Sequence, residues 1–175
     1  SIDIFFDNVN MFKNILDNVQ KYNLLLFNFT SGAEDLDTCN MFNPYGTSKA
    51  IISSTINTIP KNIINLKIYN CFGKYGLKTR FIESNIDNYK NDKDIIIHKD
   101  RYFDFFYSED VYKIICYWIN EYKNGDINTE KIECTYHETL SLKDVAEIIN
   151  NLDDKKVDIK IIEPGMSIDY IGNDY

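Results

Sequence analysis

Apolar and polar positions follow one another along the chain in two patterns. Apolar residues that recur every three or four positions predict amphipathic helices, and short unbroken apolar runs predict buried strands. Helices are predicted over residues 7–21, 45–58, 80–90, 111–122 and 142–152, and strands over residues 24–29, 64–69, 95–98, 132–135 and 157–162. Because helices and strands are joined by short links, the pattern indicates an α/β fold with a parallel sheet.

Polar residues at the ends of these elements predict helix caps and loops. Asp3 or Asp7 is expected to cap the first helix. Ser141 is expected to cap the last helix, with Asp144 at the position that completes a capping box. Residues 34–40 are polar and acidic, so they are predicted to form a loop.

The composition argues against several classes of partner. The chain has 175 residues, of which 44% are hydrophobic, which is enough for a packed core in one domain or slightly more. A net charge of −8 argues against non-specific binding to nucleic acid or to an anionic membrane. No apolar run approaches the length of a membrane span, and residues 1–6 do not resemble a signal peptide. We therefore expect neither nucleic acid nor a membrane as a partner.

The cysteines are widely spaced along the chain. Cys39, Cys71, Cys116 and Cys134 form no Cys-x-x-Cys pair, and only two histidines accompany them. A zinc site is therefore not expected, and we predict no metal. Scattered thiols fit a reducing compartment, which predicts a cytoplasmic location.

The segment with the clearest chemistry lies between residues 28 and 49. An apolar run ends in the sequence NFTSGA, and the sequence NPYGTSK follows at residues 43–49. Tyr45 and Lys49 are four positions apart, so on a helix their side chains share one face, with about 5–6 Å between Cβ atoms. A neighbouring ammonium group favours the phenolate form of a tyrosine, so such a pair can act as a base. The simpler interpretation is a tyrosine and a lysine that pack on a surface helix.

Together these residues resemble the Ser…Tyr-x-x-x-Lys triad of the short-chain dehydrogenase/reductase superfamily. Further blocks match its extended, nucleotide-sugar members: LKIYNCFG at residues 66–73, RFI at 80–82, RYFDFFYSEDV at 101–111 and SLKDVAEII at 141–149. The third block departs from the family pattern, because the arginine expected before Asp104 is replaced by Phe103. Asp104 is expected to hold backbone rather than to take part in chemistry.

The resemblance implies the C-terminal half of a Rossmann-like doubly wound parallel sheet, together with a small α/β substrate domain. Residues 1–75 and 104–136 would form the Rossmann-like part, and residues 76–103 and 137–175 the substrate-binding part. The family's Gly-x-x-Gly-x-x-Gly turn, which seats the cofactor pyrophosphate at a helix N-terminus, does not occur in the sequence. We therefore expect the N-terminal dinucleotide-binding half to be absent, and this chain alone to be a fragment that binds NAD or NADP poorly.

The resemblance also implies roles for individual residues. Tyr45 would exchange the proton of a sugar hydroxyl, while Lys49 would assist Tyr45 and bind the nicotinamide ribose. Ser31 would position the sugar oxygen, and Thr30 would take that place, or contact the cofactor, if the alignment slips by one residue.

Substrate-binding roles would fall to Asn70, Arg80 and Arg101, with a nucleotide sugar as the substrate. The simpler interpretations are that Asn70 satisfies loop backbone and that Arg80 is a surface arginine. Whether Arg101 can replace the arginine missing before Asp104 is left open by the sequence.

The motif also narrows the reaction. Residues 30–32 are Thr-Ser-Gly, whereas the 4,6-dehydratases carry Thr-Asp-Glu, so dehydration is disfavoured. Ala33 and Arg80 stand where GDP-fucose synthases have a cysteine and a histidine, which disfavours double epimerisation. The predicted function is NAD(P)-dependent epimerisation or 4-keto reduction of a nucleotide sugar. The alternative is an inactive or regulatory binding protein of the same superfamily, and in either case family members often form homodimers through the helices that correspond to residues 7–21 and 45–58.

Overall fold

A computed structural model of the chain describes residues 1–35 and 43–172. These residues form an α/β structure that divides into two compact units. Unit 1 comprises residues 1–68 and 110–134, and unit 2 comprises residues 69–109 and 135–175. Among the described residues, no helix combines the length and apolar character that a membrane span requires.

Unit 1 is built on a parallel three-stranded sheet. Its strands are β1 (Leu26–Ser31), β2 (Ile63–Ile68) and β7 (Glu130–Cys134), in the order β1-β2-β7. Its helices are α1 (Ile2–Tyr22), α2 (Pro44–Ile56) and most of α4 (Ser108–Tyr122). The sheet register places Thr30 beside Lys67, and Lys67 beside Glu133.

The sheet face under α2 changes from apolar to polar along the strands. At the amino ends, an apolar cluster packs around Phe12, Ile52, Ile56 and Ile63. Towards the carboxyl ends, the same face of β2 carries Asn65 and then Lys67, because alternate residues of a strand point to one side. Both side chains are buried. This polar end of the sheet is where the candidate catalytic residues lie.

The described residues of unit 2 form three strand pairs and two helices. Strand β3 (Asn70–Phe72) pairs with β6 (Phe105–Tyr107), β4 (Ile95–Asp100) pairs with β9 (Ile159–Met166), and β5 (Tyr102–Phe103) pairs with β8 (Leu140–Ser141). The first two pairs are parallel and the third is antiparallel. Helices α3 (Phe81–Lys90) and α5 (Leu142–Asn150) complete the unit. Its core contains Tyr89, Ile95, Ile97, Phe105, Leu142, Val145, Ala146 and Ile149.

The predicted capping box at the start of α5 is confirmed. The Ser141 hydroxyl accepts a hydrogen bond from the Asp144 amide at 3.0 Å, and the Asp144 carboxylate accepts one from the Ser141 amide at 2.9 Å. The predicted cap of α1 is wrong: the helix begins at Ile2, and its cap is Ser1, which accepts from the Asp3 amide.

Two other sequence predictions need correction. The sequence predicts Glu34 in a polar loop, whereas the residue ends a 3₁₀ turn over Gly32–Glu34 and is buried. The strands β3, β5, β6 and β8 were not predicted, because two or three residues are too few to show a periodic pattern. The rest of the loop predicted after Glu34 lies outside the described residues, as does Cys39.

Candidate active site

Strand β1 ends in the two hydroxyl residues that the motif predicts. Ser31 is the last residue of the strand, and its hydroxyl accepts a hydrogen bond from the Ala33 amide at 3.2 Å. Thr30, one position earlier, is buried and donates its hydroxyl hydrogen to Glu34 Oε2 at 2.6 Å. The Thr30 hydroxyl is therefore buried and hydrogen-bonded inside the unit. Ser31 is the better candidate to contact a substrate.

Helix α2 presents Tyr45 close to this strand end. Asn43 caps the helix by accepting from the Tyr45 amide at 3.1 Å, and Pro44 occupies the first helical position, where no amide hydrogen is needed. Gly46 follows, and a Cβ atom there would lie 2.2 Å from the Ala33 carbonyl oxygen. The glycine therefore lets the first turn of α2 pack directly on the turn that follows Ser31.

A buried serine fixes the same turn of α2 from the other side. Ser48 is fully buried, and its hydroxyl donates to the Tyr45 carbonyl oxygen at 2.7 Å. Asn8 of α1 donates to the Ser48 hydroxyl at 2.9 Å. Packing thus explains Gly46 and Ser48, and α1 supports the helix that carries Tyr45 and Lys49.

Lys49 and Tyr45 lie together, as their spacing predicts. The Lys49 Nζ atom is 5.7 Å from the centre of the Tyr45 ring and donates to the Phe29 carbonyl oxygen at 2.8 Å. Tyr45 is 40% exposed, so a ligand can reach it. Burial lowers the pKa of the Lys49 ammonium group, and the negative charge of Glu34 opposes that shift.

Beneath these residues lies a buried polar cluster that sequence reasoning missed. Its centre is Lys67, whose side chain is 1% exposed. The carboxylates around its ammonium group are those of Asp35 at 2.7 Å, Glu133 at 3.6 Å and Glu34 at 3.7 Å. The available signal was a lysine in the middle of the apolar run of β2, because a buried lysine needs a charged partner.

In unit 2, the three predicted substrate-binding residues line one cavity. This cavity has a volume of about 510 Å³, and it contains Asn70, Arg80 and Arg101 together with His98 and Lys99. The Arg80 guanidinium group donates to Asn70 Oδ1 at 2.9 Å and to the Cys71 carbonyl oxygen at 3.2 Å. Arg80 therefore lies in a cavity and contacts Asn70, which distinguishes it from an isolated surface arginine.

Arg101 lies beside the residue that departs from the family motif. Its guanidinium group is 5.0 Å from the centre of the Phe103 ring, and both residues line the cavity. Asp104 is buried, and its carboxylate accepts a hydrogen bond from the Gly172 amide at 2.6 Å. Asp104 thus holds backbone, in agreement with the sequence interpretation.

Comparison with solved structures places the fold among nucleotide-sugar enzymes. UDP-N-acetylglucosamine 4-epimerase from Bacillus cereus is 18% identical, with a TM-score of 0.71, over 92% of this chain and 61% of that chain. GDP-L-fucose synthetase from Naegleria fowleri, bound to NADP, is 16% identical, with a TM-score of 0.70, over 95% of this chain and 60% of that chain.

UDP-glucuronic acid 4-epimerase from Bacillus cereus, in complex with UDP-glucuronic acid and NAD, is 17% identical, with a TM-score of 0.67, over 91% of this chain and 56% of that chain. The chain thus spans a little over half the length of these proteins, and the likeness shows a partial Rossmann-like fold. A search of curated protein sequences finds no significant match.

The family comparison covers most of the sequence. The profile that describes the "NAD dependent epimerase/dehydratase family" matches residues 1–132, a range that includes β1, α2, Asn70 and Arg101. Since the match spans well over half of the 175 residues, it identifies the family. The chain belongs to the NAD-dependent epimerase/dehydratase family.

Proposed function

We propose that this chain carries the catalytic residues of an NAD(P)-dependent nucleotide-sugar epimerase or 4-keto reductase. The observation that carries the proposal is the Tyr45–Lys49 pair on the first turns of α2, with Nζ 5.7 Å from the ring centre, on a helix that packs on the turn after Ser31. In a parallel α/β sheet, ligands bind at the carboxyl ends of the strands, which is where these residues lie.

Each residue has a chemical role in this proposal. The Tyr45 phenolate accepts the proton of a sugar hydroxyl when the sugar is oxidised, and the resulting phenol returns that proton when the sugar is reduced. The Lys49 ammonium group stabilises the phenolate by its positive charge. The Ser31 hydroxyl hydrogen-bonds the sugar oxygen and holds it near Tyr45. Proton transfer by a positioned group of this kind contributes about 10²–10⁴-fold to a rate.

The same residues suit the nicotinamide end of the cofactor. Tyr45 is exposed and Lys49 presents an ammonium group beside it, so both can hydrogen-bond the ribose hydroxyls of NAD or NADP. When bound, the nicotinamide accepts or supplies the hydride that leaves or enters the sugar carbon. The glycine-rich pyrophosphate turn does not occur in residues 1–175, so these residues account for only part of the cofactor contacts.

Unit 2 is proposed to bind the nucleoside diphosphate part of the substrate. Arg80 and Arg101 supply planar guanidinium groups, which suit phosphate oxygens, and Lys99 adds a third positive charge to the same cavity. Aromatic side chains of Tyr69 and Phe81 line the cavity and offer faces on which a base can stack. In this assignment unit 1 is the later part of the cofactor-binding domain and unit 2 is the substrate-binding subdomain.

A homodimer through α1 and α2 is part of the proposal, as is a cytoplasmic location. Helix α1 exposes apolar side chains, among them Ile4, Phe6 and Met11, and α2 exposes Ile51. In the family that the chain resembles, the corresponding two helices often form the homodimer interface. Light scattering of the purified chain tests this: Phe6→Asp should shift a dimer to the monomer, and an unchanged mass would contradict the assignment.

The proposed activity is tested with the protein as its gene encodes it, including any sequence that precedes Ser1. The protein is incubated with NAD or NADP and a panel of UDP-, GDP- and dTDP-sugars, and the products are identified by NMR. Inversion at C4, or reduction of a 4-keto sugar, is the expected result. Binding of a nucleotide sugar without turnover of any sugar in the panel would overturn the enzyme proposal and favour a binding protein.

A further inference from the structure

A buried carboxylate joins the two elements that carry the candidate catalytic residues. Glu34 Oε2 accepts hydrogen bonds from the Thr30 hydroxyl at 2.6 Å and from the Ser53 hydroxyl at 2.5 Å. Thr30 precedes Ser31 on β1, and Ser53 lies one helical turn after Lys49 on α2. Glu34 therefore bridges the strand and the helix directly behind the candidate site.

The charges around Glu34 do not cancel within the cluster. Glu34 lies 3.7 Å from Lys67 and 3.6 Å from Lys131, and both lysines also approach Glu133, at 3.6 Å and 3.7 Å. Asp35 contacts Lys67 as well. In these contacts among the described residues, three carboxylates share two ammonium groups, which is a formal excess of one negative charge.

Lys49 lies on α2 one helical turn before Ser53, which donates its hydroxyl hydrogen to Glu34. The Lys49 Nζ atom donates to the Phe29 carbonyl oxygen, which belongs to the residue before Thr30. Burial alone lowers the pKa of Lys49, and Glu34 is the charged group that opposes this effect. The other titratable neighbour on the helix is Tyr45. A lysine that lost its proton here could not stabilise a phenolate at Tyr45.

We propose that Glu34 is a positioning residue of the candidate site, which ties β1 to α2 through Thr30 and Ser53 and supplies the negative charge that Lys49 faces. Its importance for turnover rests on the function proposed above. The electrostatic link between Glu34 and Lys49 is a property of this chain alone, and it is measurable without substrate or cofactor.

The experiment is a titration of Lys49 in the Glu34→Gln variant. Lysines are reductively methylated with ¹³C and followed by NMR against pH, and the Lys49 signal is assigned by its loss in Lys49→Arg. Glutamine keeps an oxygen that accepts from Thr30 and Ser53 but removes the charge. We expect the Lys49 titration midpoint to fall by about one pH unit, a tenfold loss of proton affinity.

The matched control is Glu133→Gln. Glu133 is a carboxylate on β7 whose side chain is 14% exposed, and it contacts the same two lysines. Its removal should move the Lys49 midpoint by less than about a third as much. An unchanged midpoint in Glu34→Gln, or equal changes in the two variants, would overturn the proposal. If Glu34→Gln fails to fold, Glu34→Gln is combined with Lys67→Met, which removes one charge of each sign and leaves no unpaired lysine at this contact. The Lys49 titration midpoint should still fall in this double variant.

Turnover separates this proposal from the proposed function. If the midpoint falls and the alkaline limb of the pH–rate profile moves with it, both stand. If the midpoint falls while the pH–rate profile is unchanged, Glu34 still acts on Lys49, but the chemistry assigned to Tyr45 and Lys49 fails. If the midpoint does not move, the role of Glu34 fails whatever the enzyme does.

Discussion

The buried ammonium group of Lys67 gives a sharp stability prediction. Its side chain is 1% exposed and lies among the carboxylates of Asp35, Glu133 and Glu34. Burial lowers the pKa of Lys67, but the hydrogen bond with Asp35 and the three negative charges outweigh it, so the pKa is raised. Lys67→Met keeps most of the side-chain volume and removes the charge, which leaves the buried carboxylate of Glu34 with less compensation.

The expected loss of unfolding free energy is about 3 kcal/mol. Breaking one partner from a buried ion pair costs about 3–5 kcal/mol, and the lower end applies because Asp35 is partly exposed and Lys131 remains near Glu34. Urea unfolding followed by fluorescence of Trp118, the only tryptophan of the chain, reports on unit 1. With a slope of about 2 kcal/mol per molar urea, the midpoint should fall by roughly 1.5 M.

Lys131→Met is the matched control. Lys131 contacts the same carboxylates, Glu34 and Glu133, but its side chain is 40% exposed, so its removal should cost no more than about 1 kcal/mol. Adding Glu34→Gln to Lys67→Met should recover part of the lost stability. A loss below about 1 kcal/mol for Lys67→Met, or equal losses for the two lysines, would refute the reasoning.

Three further predictions concern other parts of the structure. Gly46→Ala should lower the free energy of unfolding in urea by about 1–3 kcal/mol, because the added Cβ would meet the Ala33 carbonyl oxygen at 2.2 Å. The control Thr47→Ala should change it by only about a few tenths of a kcal/mol. Hydrogen bonds from Lys61, Asn23 and Asn62 lower the pKa of Asp126 to about 2. The contribution of Asp126 to stability is therefore present above about pH 4 and is lost as the pH falls towards 2. Asp126→Asn should flatten the dependence of unfolding free energy on pH in that window, and an unchanged dependence would contradict this. Ser141→Ala removes the cap of α5 and should cost about 1 kcal/mol, measured by thermal unfolding, and no loss would show that the cap does not contribute.

Much of the fold was predictable because long elements carry their own pattern. Helices α2, α4 and α5 and strands β1 and β2 appear within two or three residues of the predicted bounds. Each of these elements buries one face or its whole length, so its apolar residues recur with the period of a helix or form an unbroken run. The sequence pattern therefore predicts the element. Helix α1 begins five residues before the predicted start, because Ser1 supplies its cap.

The candidate site likewise contains contacts that the sequence predicts and contacts that it does not. Tyr45 and Lys49 are neighbours because helical spacing dictates it, so their proximity follows from the sequence. The contacts of Glu34 with Lys67 join residues 33 positions apart, and they depend on the sheet register that pairs Thr30 with Lys67. No local pattern encodes such a contact, and the polar, acidic residues after Ala33 indicate a loop instead.

The account depends most on Tyr45, and one measurement tests it directly. Turnover and cofactor affinity are measured for Tyr45→Phe and for Tyr75→Phe, in which the changed tyrosine is 90% exposed and lies away from the proposed site in sequence. Tyr45→Phe should lose about 10²–10⁴-fold in turnover and at most about tenfold in cofactor affinity, which is the worth of one hydrogen bond, while Tyr75→Phe keeps full activity. Full activity in Tyr45→Phe would contradict the central claim.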